Sequence, residues 1–524
     1  MAPWIVCALC ALIIIKPQEF VEALSGLPIL YVAFALAAGA AVFDIVWRRI
    51  RPALAPQLPW ALAFFAWIVL TTALKYPEGL ETRLMPLVIT MGVMLVVAVG
   101  TASTKGIRLF GITFLACALL VTAVGIKQSL GPLTCMVGEP DDWQGKGELK
   151  PDGRSCVTVM ECLKNAPDPK ANYFCERAGP LGTSTVEGRV RYRGSLEDPN
   201  ELALMAGMSI PFAFALADRS GGRPRPPQKR APRAPGVPGA PGEVPDAPSP
   251  ALSSRLPSAP RAPRAPRAPR LMAARLPLLL TDRLILRVAA MIRAIPVAAI
   301  LAAIAVVVVL SRSRTGLIVY LLVLGLYFVK RNGAWAIVVG CLVAPPMVLL
   351  GGRSGAEAEE SASERTELLI EAYQMIRQTK GIGVGLGQFV DESSIGLTAH
   401  NSYLLAAAEV GVVGLCLFGV ILYASAKVPL AIWFGDYRVD ATVRRFAPAV
   451  FVSLCGAVAG IFFLSWTYKD LLYMTVGASA ALYGAAKMQD PRVSVRVSLK
   501  EVVLVSLGMM GLLIAVNVAI RILS

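Results

Sequence analysis

The stretch AIPVAAILAAIAVVVVLSRSRTGLIVYLLVLGLYFV, residues 294–329, decides the fold class. A bilayer's hydrocarbon core takes about 20 helical residues, so one unbroken helix of this length would overshoot it. The polar SRSRTG, residues 311–316, therefore divides the run into two membrane crossings. Arginine at such a turn is expensive at membrane depth, and it marks a site, a partner or a water-filled cavity. Snorkelling at a helix end is the plainer account of Arg312 and Arg314.

Outward from this hairpin the 524-residue chain keeps the same character, being 56% hydrophobic with mean hydropathy +0.61. Apolar runs of about 17–25 residues recur, each long enough to cross a bilayer. The expected fold is all-α: a polytopic bundle with spans near 2–15, 26–47, 57–74, 84–100, 107–126, 200–217, 288–311, 315–329, 334–350, 402–425, 447–465, 471–487 and 501–520, or about 12–13 crossings in all. The basic stretches WRRIR (47–51), TKGIR (104–108), VKRNG (329–333), YRVDATVRR (437–445) and RVSVRVSLK (492–500) alternate with these spans, so the positive-inside rule places them, and the N-terminus, in the cytoplasm. The expected organisation is spans in 1–127, an outward loop in 128–199, a span in 200–217, a cytoplasmic loop in 218–287, spans in 288–351, an outward loop in 352–400 and spans in 401–524. The first run lacks a basic leader and a small-residue cleavage site, so it reads as a retained anchor. No internal repeat or matched pair of broken helices points to an inverted-repeat transporter.

The three polar segments differ in kind. The cytoplasmic one is rich in arginine and proline, with the run RAPRAPRAPR (261–270), and reads as a disordered loop that adheres to anionic headgroups. A specific protein or nucleic-acid partner is the alternative there, and no nucleic acid is expected. Much of the net charge of +16 lies in this loop.

The loop 128–199 carries Cys135, Cys156, Cys162 and Cys175. Four cysteines in an outward polar loop favour two disulfides in any of three pairings. Zinc is disfavoured because no C-x2-C pair and no nearby histidine occur. The loop ends in EGRVRYRGSLEDPNELALM (187–205), where Arg189, Arg191 and Arg193 alternate. In an extended chain these share one face, and guanidinium is suited to bidentate capture of phosphate oxygens. Asp198 or Asn200 is placed to cap the following helix.

The third segment opens with SERTELLIEAYQMIRQTKG (363–381), whose Leu368, Leu369, Ala372, Met375 and Ile376 form the stripe of an amphipathic helix on the outer interface. GIGVGLGQF (381–389) follows; without β-α-β context it reads as a close-packed turn, not a nucleotide loop. Next comes AHNSYLLAAAEVGVVGL (399–415), which contains His400, the one histidine of the chain.

The order RYRGSLEDPNELA, SRSRTG, GVGLGQF and AHNSYLLAAAEVGVVGL resembles the O-antigen ligase and polymerase superfamily of bacterial envelope glycosyltransferases, over roughly residues 186–425. The resemblance implies a GT-C-like fold in the inner (cytoplasmic) membrane, with an active site facing the periplasm. There an undecaprenyl-pyrophosphate-linked glycan would be transferred to an acceptor hydroxyl of lipid A-core, a growing glycan or a protein, with no cofactor and no metal. By resemblance Arg314 matches the family's Ser-x-Ser-Arg arginine, His400 its loop histidine and Arg193 the arginine ahead of the Pro-Asn pair. Arg191 and Arg312 stand beside them as further pyrophosphate ligands, and Asn401, Tyr403 and Glu409 as supporting residues. Thr379-Lys380 stand where members often carry proline, and the Arg/Pro-rich loop is an unusual insertion; both bear on the acceptor.

The chemistry of these residue types agrees. Breaking a glycosyl–pyrophosphate bond builds charge on the leaving phosphate, which fixed arginines stabilise as it develops. The attacking hydroxyl loses a proton, and an imidazole, ordinarily with pKa about 6.5, is suited to accept it. His400 has two other readings: hydrogen-bonding the donor, or merely pinning its loop. Glu409 lies about 13 Å along a helix from His400 and calls for a polar partner inside the bundle. Ligase, polymerase and protein O-glycosylating branches share these motifs; a non-enzymatic transporter of lipid-linked sugars is the reading from another class.

Overall fold

The computed structural model describes residues 1–138, 149–164, 166–168, 170–218, 294–333, 335, 337–342 and 356–523. The Arg/Pro-rich stretch beyond residue 218 and most of the expected span 334–350 lie outside them. The chain is a multi-pass membrane protein whose described residues are mostly helical. They run α1 (Ala2–Ile15), α2 (Ile29–Val46), α3 (Leu58–Lys75), α4 (Leu80–Gly100), α5 (Thr104–Ser129), the short α6 (Val159–Lys164), and α7 (Pro199–Ala217). After them come α8 (Ala294–Leu310), α9 (Arg314–Asn332) and α10 (337–342). The C-terminal part holds α11 (Ala356–Gln378), α12 (Gln388–Glu392), α13 (Ser402–Phe434), α14 (Ala441–Gly460), α15 (Asp470–Gln489) and α16 (Leu499–Leu523). Among the described residues nine helices are long and apolar enough to cross a membrane. The shorter apolar α8, α9 and α15 occupy three more of the expected positions.

Apolar residues all round a helix suit burial on every side, and α7 is such a helix. Of its best apolar window 83% is buried, against 6% for α16, so α7 is central and α16 peripheral. Phe110 and Phe114 of α5, Phe212 of α7 and Phe446 of α14 form the aromatic centre, with ring centroids 5.6–6.4 Å apart. Among the described residues two boundaries differ most from expectation. Helix α13 continues through Pro429 to Phe434. Helix α14 starts at Ala441 because Asp440 caps it, accepting from Val443 N at 2.8 Å.

One strand region was not foreseen. Strands β1 (Leu133–Gly138), β2 (Lys150–Ser155) and β3 (Asn172–Arg177) form an antiparallel sheet in the order β2-β1-β3. Cys135 stands directly opposite Cys175 in the β1–β3 register. Yet each sulfur bonds elsewhere: Cys135 to Cys162 of α6, and Cys156 to Cys175. The two crosslinks thus staple α6 and the end of β2 onto the sheet. Six cysteines are free. Alkylation of denatured, unreduced protein is expected to titrate six thiols, rising to ten, the full cysteine content, after reduction. Mass analysis showing ten before reduction would remove the crosslinks.

Helix α13 is broken at Gly411, where φ is 75° and ψ −179°, a region open in practice to glycine alone. The turn 381–389 threads the break. Val384 N and Gly385 N donate to the carbonyls of Ala408 and Glu409 at 2.9 and 2.8 Å, and Val412 N donates to Gly381 O at 2.9 Å. The carbonyls of Ala408 and Glu409 and the N–H of Val412, beside the break, are therefore satisfied by the turn, as burial requires. A Cβ at Gly383 would strike the backbone of Glu409, and one at Gly411 the carbonyls of Gly381 and Ile382. Gly411→Ala is expected to cost about 3 kcal/mol or more. Thermal unfolding in detergent checks this, and an unshifted midpoint would contradict it.

Candidate active site

Three helices, α7, α9 and α13, begin together at one end of the bundle. Gly316 in the first turn of α9 packs so closely on Ala203 of α7 that any Cβ would collide there. The segment entering α7 is tied to the end of α8, Val190 N donating to Leu310 O at 3.3 Å. The start of α13 is fixed through Ser402. Its N–H donates to Ile461 O at 2.9 Å and its hydroxyl donates to Leu464 O at 2.6 Å while accepting from Trp466 N at 2.7 Å. The Trp466 indole in turn donates to Glu201 of α7 at 2.9 Å, and Lys469 approaches the same carboxylate oxygen at 3.4 Å. Residues 461–469 are thus a clamp between the starts of α13 and α7.

Each of the three starts is capped by a side chain. Asp198 accepts from Asn200 N at 2.7 Å, Ser313 from Gly316 N at 2.9 Å, and Asn401 from Tyr403 N and Leu404 N at 3.0 Å each. The starts of α7 and α9 adjoin and that of α13 is linked to α7 through the clamp, so the three present partial positive charge at the same end of the bundle, which favours an anion there.

Arg191 and Arg193 line a cavity of about 430 Å³, together with Lys16, Lys469, Glu19 and Glu197. Arg193 donates to Glu19 O at 2.7 Å and Gly182 O at 2.6 Å. Buried Arg191 donates to Ser184 O at 3.2 Å, and its N–H donates to the Gln128 side chain at 3.0 Å. Tyr192, between them, also lines the cavity and donates to Ile15 O at 3.0 Å, and burial pushes its hydroxyl up to about 12. Arg189 is not in this cavity; it pairs with Glu187 at 3.2 Å. The expected face of three arginines is therefore a pair.

In SRSRTG the small residues point in and the arginines out. Ser311, Ser313 and Thr315 are buried, whereas Arg312 and Arg314 are exposed. Half-buried His400 directly precedes the Asn401 cap, as Arg312 precedes the Ser313 cap. Both adopt left-handed backbone, φ 47° for His400 and 46° for Arg312, where glycine would be cheaper. Non-glycine residues held in such strained backbone cluster at active sites and ligand clamps, which makes this end of the bundle a candidate site. Arg312, Arg314 and His400 do not line the 430 Å³ cavity.

Residues 298–419 match the family model described as O-antigen ligase. This matched segment is similar to the O-antigen ligase family over 122 of the 524 residues. No curated protein and no solved structure matches the chain. Members of the O-antigen ligase family are ligases and glycosyltransferases acting on glycans. The matched O-antigen ligase segment holds Arg312, Arg314, His400, Asn401, Tyr403 and Glu409, while Arg191, Arg193, Glu201 and Lys469 lie outside it.

Within the O-antigen ligase segment, Tyr403 is a packing residue, buried and donating to Val458 O at 2.9 Å. Glu409 is buried and accepts from Phe389 N at 3.3 Å, so its partner is the turn after the glycine loop. Tyr468 lies beside it; burial first, and the Glu409 carboxylate second, push its hydroxyl well above the ordinary range. Lys16, Glu201, Trp466 and Lys469 escaped the sequence reading. For the two lysines the available signal was a cation at the outward end of a span, the same cue that singled out Arg314.

Proposed function

We propose that this protein is a bacterial inner-membrane glycosyltransferase that moves an undecaprenyl-pyrophosphate-linked glycan onto an acceptor hydroxyl at the periplasmic face. The observation that carries the reading is the convergence of three capped helix starts beside a cavity lined by Arg191, Arg193, Lys16 and Lys469. Such a site holds a pyrophosphate without a metal, because the positive charge is built from side chains and helix ends. Arg193 and Arg314 stabilise the leaving pyrophosphate, with Arg191 and Arg312 adding charge. His400 accepts the proton of the attacking hydroxyl. Asn401 sets the position of His400 through its cap, and the Ser402 clamp holds that position against α7. Water is kept from the reacting centre by the loop carrying the two disulfides, whose Leu149 and Ser184 also line the cavity.

The test is the envelope glycan profile of a strain lacking the gene, with the parent gene or its His400→Ala form returned. Full-length chains accumulating on the lipid carrier identify a ligase. Single repeat units identify a polymerase, and unglycosylated protein with intact polysaccharide identifies protein O-glycosylation. A profile unchanged by deletion would overturn the enzyme and favour a transporter.

A further inference from the structure

A second cavity, of about 680 Å³, is lined by Arg48, Arg49, Arg51 and Lys487, with no Asp or Glu among its lining residues. Lys469, at the first cavity, directly precedes α15, and Lys487 lies in its last turn. The 20 residues of α15 span about 30 Å, so the two cavities lie at opposite faces of a membrane-thick bundle.

The backbone at Arg48 is informative. Helix α2 ends in a Schellman motif: Arg49 N donates to Asp44 O and Arg48 N to Ile45 O, both at 2.8 Å. The left-handed position of that motif normally falls to glycine, yet here Arg48 fills it at φ 54°. A guanidinium is thus held at the mouth of the cavity in a conformation that a smaller residue would adopt more easily.

Apolar surface adjoins the charge. Leu54 and Met488 line the cavity, and the last turns of α2 expose Val42, Val46 and Trp47, with Val46 70% and Leu54 72% exposed. Arginines that fork a phosphate, an aromatic at the interface and an exposed apolar flank together match one amphiphile. We infer that this cavity binds the phosphate headgroup of an anionic phospholipid, in the leaflet opposite the proposed active site, with the acyl chains along α2. A soluble phosphate would share the charge recognition but has no use for the apolar flank.

The test uses the full chain purified in neutral detergent and followed by thermal unfolding with added phosphatidylglycerol, cardiolipin, phosphatidylcholine or inorganic phosphate. The two anionic lipids are expected to raise the midpoint and the other two additives to leave it in place. The Arg48→Gly/Arg51→Ala form keeps the left-handed turn without strain, so it is expected to fold while its affinity for anionic lipid falls about tenfold or more. An equal response of that variant and the parent chain would overturn the site. An equal rise with phosphatidylcholine would reduce the effect to bulk lipid, and one with inorganic phosphate would replace the lipid by a soluble anion.

Discussion

Arg314→Ala is expected to insert and fold like the parent chain while losing transfer activity by about 10²–10³-fold, the usual cost of removing one donor from a developing anion. The separation between folding and activity follows from the geometry of SRSRTG. Ser311, Ser313 and Thr315 are the buried residues of this turn, and the Ser313 cap fixes its backbone. Arg314, exposed at the first position of α9, contributes little to that packing. Arg314→Lys should recover part of the loss, since it restores the charge but not the fork. The rate on lipid-linked glycan, normalised to membrane-inserted protein, is the measurement. Full activity in Arg314→Ala would remove this residue from the site.

The second large effect is at His400, where alanine is expected to lower transfer by about 10²–10⁴-fold, the range of a lost general base. Strain allows a sharper control. Because His400 sits at φ 47°, His400→Gly relaxes the backbone and removes only the imidazole. If the ring merely pins the loop, His400→Gln, which can still hydrogen-bond, retains activity. If the ring takes the proton, the Gly and Gln forms both fail. Rates of the Gln form close to those of the parent chain would leave His400 a structural role.

Most of the bundle was legible because a membrane helix announces itself by length and apolarity alone, needing no knowledge of its neighbours. The sheet was not, since β1 and β3 lie in a polar loop whose pairing depends on contacts between residues some 40 positions apart, such as Cys135 opposite Cys175. The glycine turn 381–389 was readable as close-packed, but what it packs against, the break at Gly411, comes from a different element. At the candidate site the motif residues stood out by type and position. Lys469 and Glu201 did not, because a lone lysine in a five-residue connection and a carboxylate one turn into a span gain meaning only when folding brings them to 3.4 Å.

That meeting of Glu201 with Trp466 and Lys469 also bears on how the protein is made. The chain emerges from its N-terminus, and at about 5–20 residues per second the partners of Glu201 arrive tens of seconds after it. During that interval α7, which later becomes the most enclosed of the candidate spans, carries a carboxylate with neither its indole nor its ammonium. A ribosome stalled before residue 466 therefore leaves an inserted but unclamped chain, with α13 not yet fastened to α7. Assembly of the site is thus a late event in biogenesis, gated by the synthesis of one short connection near the C-terminus.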